Sequence, residues 1–289
     1  MKSETIQITE CPRDAMQGIK DQIPTALKAE YLNALLQVGF NTIDFGSFVS
    51  PKSIPQMQDT AEVLELLDTK NSKSRLLAII ANTRGAEEAC RHQAITFLGF
   101  PFSISETFQH RNTNSSIQES LARVEEIQVL CQKNNKQLLV YISMAFGNPY
   151  GDHWHEDIAT GWCRQLHKLG ISHFALADTI GSSTPTGITQ LFSTLIPELK
   201  GATIGAHLHS TKEKALEKIT AAYESGCRSF DVAIHGFGGC PMAKEDLTGN
   251  IATETLEQFA ASRNIPLALN REKLTECYQS SWKIFNHYH

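Results

Sequence analysis

Short apolar segments alternate with amphipathic segments along nearly the whole chain, and this alternation restricts the fold more than any other feature. Helical spacing of apolar residues marks the intervening stretches, as in Ile117, Leu121 and Val124 of the stretch 117–134. Eight strand–helix units predict an α/β fold, a parallel sheet closed into a (β/α)8 TIM barrel. The predicted strands are 5–9, 42–45, 76–80, 94–98, 137–142, 173–176, 203–206 and 229–232.

An open doubly wound sheet is the alternative fold for such an alternation. Its usual phosphate-binding sequences do not occur, because no G-x-G-x-x-G follows the first predicted strand and no Walker sequence is present. The chain has 289 residues, and (β/α)8 barrels typically take about 250. We therefore expect a single domain over 1–289, with the barrel over about 5–265 and a short C-terminal helical extension over 266–289.

Charge and cysteine content narrow the class of protein. The formal net charge of −5 argues against nucleic acid and anionic membranes as partners. No apolar run approaches the 18 or so residues of a transmembrane helix, and residues 1–4 lead into a strand pattern without a presequence. The seven cysteines are odd in number and form no CxxC, which argues against a disulfide framework. A cytoplasmic location is therefore expected.

Two histidines two residues apart follow the seventh predicted strand. His207 and His209 would face the same side of a strand, because strand side chains alternate with period 2. Asp14 follows the first predicted strand, and only the eighth strand separates the first from the seventh in a closed barrel. Two imidazoles and a carboxylate leave positions free for substrate oxygens and water. This ligand set suits Mg²⁺ or Mn²⁺, with zinc or iron(II) as alternatives.

Two more polar residues follow predicted strands, where (β/α)8 barrels place their active sites. Asn250 offers an amide oxygen as a fourth metal ligand, or is an ordinary Gly-Asn turn residue. Asp178 is a general base, a hydrogen-bond partner, or the cap of the next helix. The sequence leaves both pairs of alternatives open.

An arginine and a thiol complete the candidate site. Arg13 would stabilise an oxyanion without titrating, or form an ordinary salt bridge with Asp14 or Asp44. Cys240 lies in the glycine-rich stretch 236–241. Its thiol would exchange a proton with a substrate carbon, or be inert like most cysteines.

Several longer motifs occur in a fixed order. They are P-R-D at 12–14 with Gln17, S-F-V-S-P-K at 47–52 with P-Q-M at 55–57, D-T-I-G at 178–181, H-L-H at 207–209, G-G-C-P at 238–241 and G-N at 249–250. Through them the chain resembles 3-hydroxy-3-methylglutaryl-CoA (HMG-CoA) lyases, within the metal-dependent TIM-barrel lyases and Claisen-type synthases. The resemblance extends from the first predicted strand to about residue 265.

The resemblance implies a divalent-metal-dependent carbon–carbon lyase that cleaves HMG-CoA, or a close 3-hydroxyacyl-CoA, to acetoacetate and acetyl-CoA. A homodimer is expected on the same ground. The implied ligands of the cation, Mg²⁺ or Mn²⁺, are Asp14, His207, His209 and Asn250.

The resemblance also implies catalytic roles. Arg13 would stabilise the enolate oxygen, and Cys240 would handle a proton at the acetyl-CoA carbon. Asp178 would lie beside the tertiary hydroxyl, as a helper or base. Asp44 occupies a position near the metal where the family has glutamate, and Ser210 replaces an acid of the family motif. Both departures leave the acyl group of the substrate open.

Two other functions remain as alternatives. One is a Claisen-type synthase related to isopropylmalate or homocitrate synthases, which typically carry G-x-G-E-x-x-G-N where this chain has G-G-C-P at 238–241. The other is a non-catalytic barrel, against which the retained Asp14, His207 and His209 argue.

Overall fold

Eight parallel strands form the centre of the protein in the computed structural model, which describes residues 5–239 and 248–288. Each strand pairs in parallel with its successor, and the last pairs with the first, so the ring is closed. The predicted TIM barrel is confirmed. Its strands are β1 (Gln7–Glu10), β2 (Thr42–Ser47), β3 (Arg75–Ile79), β4 (Ile95–Ser103), β5 (Gln137–Ser143), β6 (His173–Asp178), β7 (Thr203–Ser210) and β8 (Ser229–Val232).

Helices connect the strands, and within the described ranges none is long and apolar enough to cross a membrane. In chain order the helices are α1 (Pro12–Met16), α2 (Thr25–Leu36), α3 (Thr60–Glu65), α4 (Thr83–Cys90), α5 (Glu106–Thr113), α6 (Ile117–Lys133), α7 (Glu156–Lys168), α8 (Pro185–Glu198), α9 (Lys212–Glu224), α10 (Thr253–Ser262) and α11 (Arg271–Phe285). Helix α11 is the predicted C-terminal extension, and it packs against α2.

Local capping explains where the longest helix begins. Helix α6 starts with a capping box, in which Ser116 Oγ accepts from the Glu119 N–H and a Glu119 carboxylate oxygen accepts from the Ser116 N–H. The apolar face predicted from Val124 and its neighbours is buried in the core. Sequence periodicity and capping therefore agree on this element.

Two apolar clusters hold the barrel together. The larger lies between the sheet and the surrounding helices and contains Phe100, Phe102 and Phe192, all fully buried. The smaller contains Leu77, Phe97 and Tyr141 with their neighbours, from alternate positions on β3, β4 and β5. Its separation from the helix-facing cluster assigns these side chains to the barrel interior.

Several strands extend beyond their predicted ends, and β4 and β7 extend furthest. Strand β4 continues to Ser103, and β7 continues through both histidines to Ser210. A short strand, β9 (Gly249–Asn250), pairs antiparallel with β7, opposite His209 and Ser210. This pairing brings Asn250 to the C-terminal end of the barrel, where the candidate site lies.

Candidate active site

Three predicted metal ligands meet at the C-terminal end of the barrel. Asp14 lies in α1, directly after β1, and His207 and His209 lie at the end of β7. One ligand atom from each of the three lies within 4.8 Å of the other two, and all three residues are buried. The structure therefore brings together residues that the sequence places almost 200 positions apart.

The two imidazoles are held so that one nitrogen of each ring is engaged by protein. His207 Nδ1 lies 3.1 Å from Asp231 Oδ2, and His209 Nδ1 lies 3.2 Å from the Thr179 carbonyl oxygen. His209 Nε2 is buried without a hydrogen-bond partner among residues 5–239 and 248–288. A buried polar atom without a partner is costly, so this nitrogen fits a metal ligand.

The charges around Asp14 and His209 favour the forms that bind a cation. Burial lowers the pKa of His207, but the hydrogen bond and the charge of Asp231 outweigh burial and raise that pKa, so a cation would have to displace a proton there. Burial, followed by the neighbouring His207, lowers the pKa of His209 to about 4 and keeps its imidazole neutral. Burial raises the pKa of the Asp14 carboxyl, but the charges of Arg13 and His207 outweigh it and lower that pKa to about 2. A neutral imidazole and an ionised carboxylate are the ligand forms that a divalent cation requires.

Arg13 is fixed between two carboxylates. Its Nε lies 3.0 Å from Asp44 Oδ2, and its Nη1 lies 3.0 Å from Asp14 Oδ1 and 2.9 Å from Gln17 Oε1. Nη2 also donates to Asp44. Of the five guanidinium N–H groups, one on Nη2 remains for another acceptor after these bonds with the described residues. The predicted salt bridges and the predicted oxyanion role are therefore compatible.

Asp44 is fully buried behind this arginine. Burial raises the pKa of its carboxyl, and the charge of Arg13 lowers it only in part, to a net value of about 6. Burial also lowers the pKa of the Arg13 guanidinium, but the charges of Asp44 and Asp14 raise it well above its ordinary range. Asp44 therefore orients a permanently charged donor.

Asn250 lies beside the predicted ligands. Its Nδ2 donates to Asp14 Oδ2 at 2.7 Å and to the Phe237 carbonyl oxygen at 2.9 Å. The amide oxygen is left as the side-chain atom that can face a metal. Gly238 packs against the same region, because a Cβ atom there would lie 2.7 Å from the Asp14 carbonyl oxygen. Cys240, the predicted thiol, lies outside the described residues.

Asp178 ends β6, as the sequence indicates, but its oxygens are already engaged. Ser183 donates to them through its backbone N–H at 3.1 Å and through its hydroxyl, and Lys218 Nζ lies 2.7 Å from Oδ2. Asp178 is not in the group of three residues that meet within ligand distance. The hydrogen bonds from Ser183 and Lys218 hold the Asp178 carboxylate in a fixed position.

Sequence reasoning missed several residues that support the site. Asp231 faces His207 from β8, and Gln17 donates to Asp14 Oδ1 at 2.8 Å while it accepts from Arg13. Lys218, in α9, is almost fully buried, and its position on the helix does not predict this burial. Gln17 belongs to one of the motifs. Asp231 and Lys218 have no distinguishing sequence pattern, because one is an acid on a strand and the other a lysine on a helix.

Glu10 is a fourth missed residue, and it leads to a pH prediction. It is fully buried and accepts from the Ile234 N–H at 2.8 Å and from Thr253 Oγ1 at 2.7 Å. Burial raises the pKa of this carboxyl from 4.5 to about 8. Between these values the folded protein binds the proton more tightly than the unfolded chain, so Glu10 contributes stability that is full below about pH 4.5 and is lost as the pH rises toward 8.

Glu10→Gln is therefore expected to flatten the fall in unfolding free energy between about pH 5 and pH 8. Urea denaturation at each pH measures the unfolding free energy of both proteins. Groups other than Glu10 titrate in both, so their contribution cancels in the difference between the two free energies. The amide keeps the shape of the side chain and an oxygen for the Ile234 N–H. Identical pH profiles for the two proteins would show that Glu10 does not carry this dependence.

Comparison with known proteins agrees with this geometry. The HMGL-like family model matches residues 5–280. The cytoplasmic 3-hydroxy-3-methylglutaryl-CoA lyase of Rattus norvegicus is 32% identical over 284 residues, which cover 98% of this chain and 82% of the relative. The mitochondrial hydroxymethylglutaryl-CoA lyase of Bos taurus is 32% identical over 265 residues, covering 92% of this chain and 81% of the relative.

Solved structures give the same result. An HMG-CoA lyase from Acinetobacter baumannii, in complex with coenzyme A and 3-methylmalate, has a TM-score of 0.91 at 30% identity and covers 99% of this chain and 93% of that one. The HMG-CoA lyase from Brucella melitensis has a TM-score of 0.90 at 28% identity, covering 97% of this chain and 99% of that one. The site, the sequence match and the fold together show that this chain belongs to the HMGL-like family.

Proposed function

We propose that the protein is a divalent-metal-dependent carbon–carbon lyase that cleaves HMG-CoA to acetoacetate and acetyl-CoA. The observation that carries the proposal is that Asp14, His207 and His209 meet beside Arg13. His209 Nε2 is buried and has no hydrogen-bond partner in the part of the chain that the structure describes. The relatives named above are HMG-CoA lyases, which favours cleavage over the Claisen-type condensation. The retained ligand set argues against a non-catalytic barrel.

Asp14, His207 and His209 would hold the cation, with the amide oxygen of Asn250 as a further ligand. Bound there, a divalent cation would polarise the substrate oxygens and lower the pKa of the tertiary hydroxyl. The hard oxygen ligands and the imidazoles suit Mg²⁺ or Mn²⁺. The ligand set thus explains why cleavage would require a metal.

The protein groups account for the remaining steps. The tertiary hydroxyl would lose its proton to solvent water, and its oxygen would become the ketone oxygen of acetoacetate as the carbon–carbon bond breaks. The electron pair of that bond would move onto the thioester carbonyl to form an enolate. The free N–H of Arg13 would donate to that enolate oxygen, held in place by Asp44. Cys240 would then give its proton to the enolate carbon, which yields acetyl-CoA. For Asp178 we propose the role of a helper near the tertiary hydroxyl and not that of the base, because Ser183 and Lys218 already donate hydrogen bonds to its oxygens.

The relatives support a proposal for the substrate class and the location of the protein. The substrate would be an acyl-CoA, as the coenzyme A complex of the Acinetobacter structure supports. We propose a cytoplasmic protein that acts as a homodimer, with one domain over the whole chain; the names of the relatives include both cytoplasmic and mitochondrial enzymes.

A chelator experiment tests the proposal. The purified protein is expected to release acetoacetate and acetyl-CoA from HMG-CoA with Mg²⁺ or Mn²⁺ present, and to lose this activity in EDTA until the cation is restored. Coupled assays of both products measure the reaction. Cleavage that persists in EDTA after exhaustive dialysis would refute metal dependence. Tight Mn²⁺ binding without cleavage would refute HMG-CoA as the substrate and direct attention to Asp44 and Ser210, the two departures from the family motifs.

A further inference from the structure

Lys218 is a buried cation directly behind the candidate metal site. It lies in α9 and is only 1% exposed. Its ammonium group donates to Asp178 Oδ2 at 2.7 Å, to the His209 carbonyl oxygen at 2.9 Å and to the Gly181 carbonyl oxygen at 3.0 Å. An ammonium group has three N–H donors, so these contacts use all of them.

These contacts join two segments that both touch His209. Asp178 ends β6, Gly181 lies in the turn that follows, and Ser183, after that turn, donates to Asp178. Within the same turn, the Thr179 carbonyl oxygen lies 3.2 Å from His209 Nδ1. His209 is therefore held at its backbone by Lys218 and at its ring by the turn that Lys218 anchors, which fixes the direction of the free Nε2.

Stability alone does not account for this ion pair. Transfer of two charges from water into a protein interior costs several kcal/mol per ion, and well-packed apolar residues often do as well or better. What apolar side chains cannot supply is three directed bonds that converge on one turn and one carbonyl oxygen. The pair is thus suited to hold geometry.

We propose that Lys218, together with Asp178, is a positioning residue for His209. The ion pair fixes the 178–183 segment against the end of β7, so that the His209 ring keeps its orientation beside Asp14 and His207. This inference rests on the proposed metal site. It assigns Lys218 a function and gives Asp178 a role that requires no proton transfer.

Lys218→Met is expected to weaken Mn²⁺ binding to the chelator-treated protein by about 10- to 100-fold, the usual effect of losing a group that orients a metal ligand. Titration followed by electron paramagnetic resonance measures the dissociation constant. Lys28→Met is the matched control, because Lys28 is also buried in an ion pair. Lys28 lies in α2, and its Nζ is 2.7 Å from Oδ1 of Asp59, which directly precedes α3. This variant is expected to lower the melting temperature while leaving the Mn²⁺ dissociation constant unchanged.

A double variant keeps the test decisive if Lys218→Met does not fold. Asp178→Asn with Lys218→Met removes both charges, so no unpaired buried charge opposes folding. It is also expected to bind Mn²⁺ weakly. Wild-type Mn²⁺ affinity in Lys218→Met or in the double variant would overturn the positioning role alone. Failure of the wild-type protein itself to bind Mn²⁺ would instead overturn the metal site and the proposed function.

Discussion

Replacing His209 with alanine is expected to remove tight Mn²⁺ binding and to reduce HMG-CoA cleavage to background. The substitution deletes the buried Nε2, which has no partner among the described residues, and removes one of the three residues whose ligand atoms lie within 4.8 Å of one another. The loss of affinity should exceed the roughly 10- to 100-fold typical for a group that only supports a ligand. Isothermal titration with Mn²⁺ and product assays measure both effects.

An exposed histidine supplies the control for this experiment. His155 caps α7, and its side chain is 57% exposed, so His155→Ala is expected to leave Mn²⁺ affinity and turnover unchanged. If His209→Ala bound Mn²⁺ as tightly as the wild-type protein, His209 would not be a metal ligand, and the cation would bind at another site.

Replacing Arg13 with lysine is expected to lower kcat about 100- to 1000-fold, the usual effect of losing one oxyanion donor. Lysine keeps a positive charge between Asp14 and Asp44, but it cannot reproduce the fork that engages both and leaves one N–H for the substrate. Because the ligand atoms stay in place, Mn²⁺ affinity should remain close to that of the wild type. Steady-state kinetics at saturating Mn²⁺ measures the change.

Arg164→Lys is the matched control for the loss of a fork. Arg164 binds Glu198 through Nε and Nη2, but both side chains are about 40% exposed and lie on α7 and α8. We expect this variant to keep the kcat of the wild type. A wild-type kcat in Arg13→Lys, with the fold confirmed by its melting temperature, would remove Arg13 from the oxyanion role.

The barrel could be predicted because its signal is repeated along the chain. Buried strands and amphipathic helices alternate eight times, and errors at single boundaries do not alter that order. Helices α1 and α5 did not follow from the pattern: α1 has only five residues, all buried, and the eight residues of α5 are mostly polar. Such elements are set by a proline or a cap rather than by apolar periodicity.

The residues of the site could be predicted only where a local sequence pattern identifies them. His207 and His209 stand two apart on one strand, and this spacing indicates their shared face. Strand β7 was nevertheless predicted to stop at residue 206, because its polar end does not resemble a buried strand. Lys218 lies nine residues from His209 in sequence and meets it only through packing of α9 on β7, which no local pattern encodes.

The hydrogen bond between Asn250 and Asp14 spans 236 residues and joins the first βα unit to β9, which follows the last strand of the barrel. During synthesis, Asp14 leaves the ribosome long before its neighbours in the site exist. A chain released before residue 250 would lack this bond, and a barrel missing β7 would lack both imidazoles. Binding of the proposed cation would therefore require the closed ring, and the cation would stabilise only molecules in which folding has reached the end of the barrel.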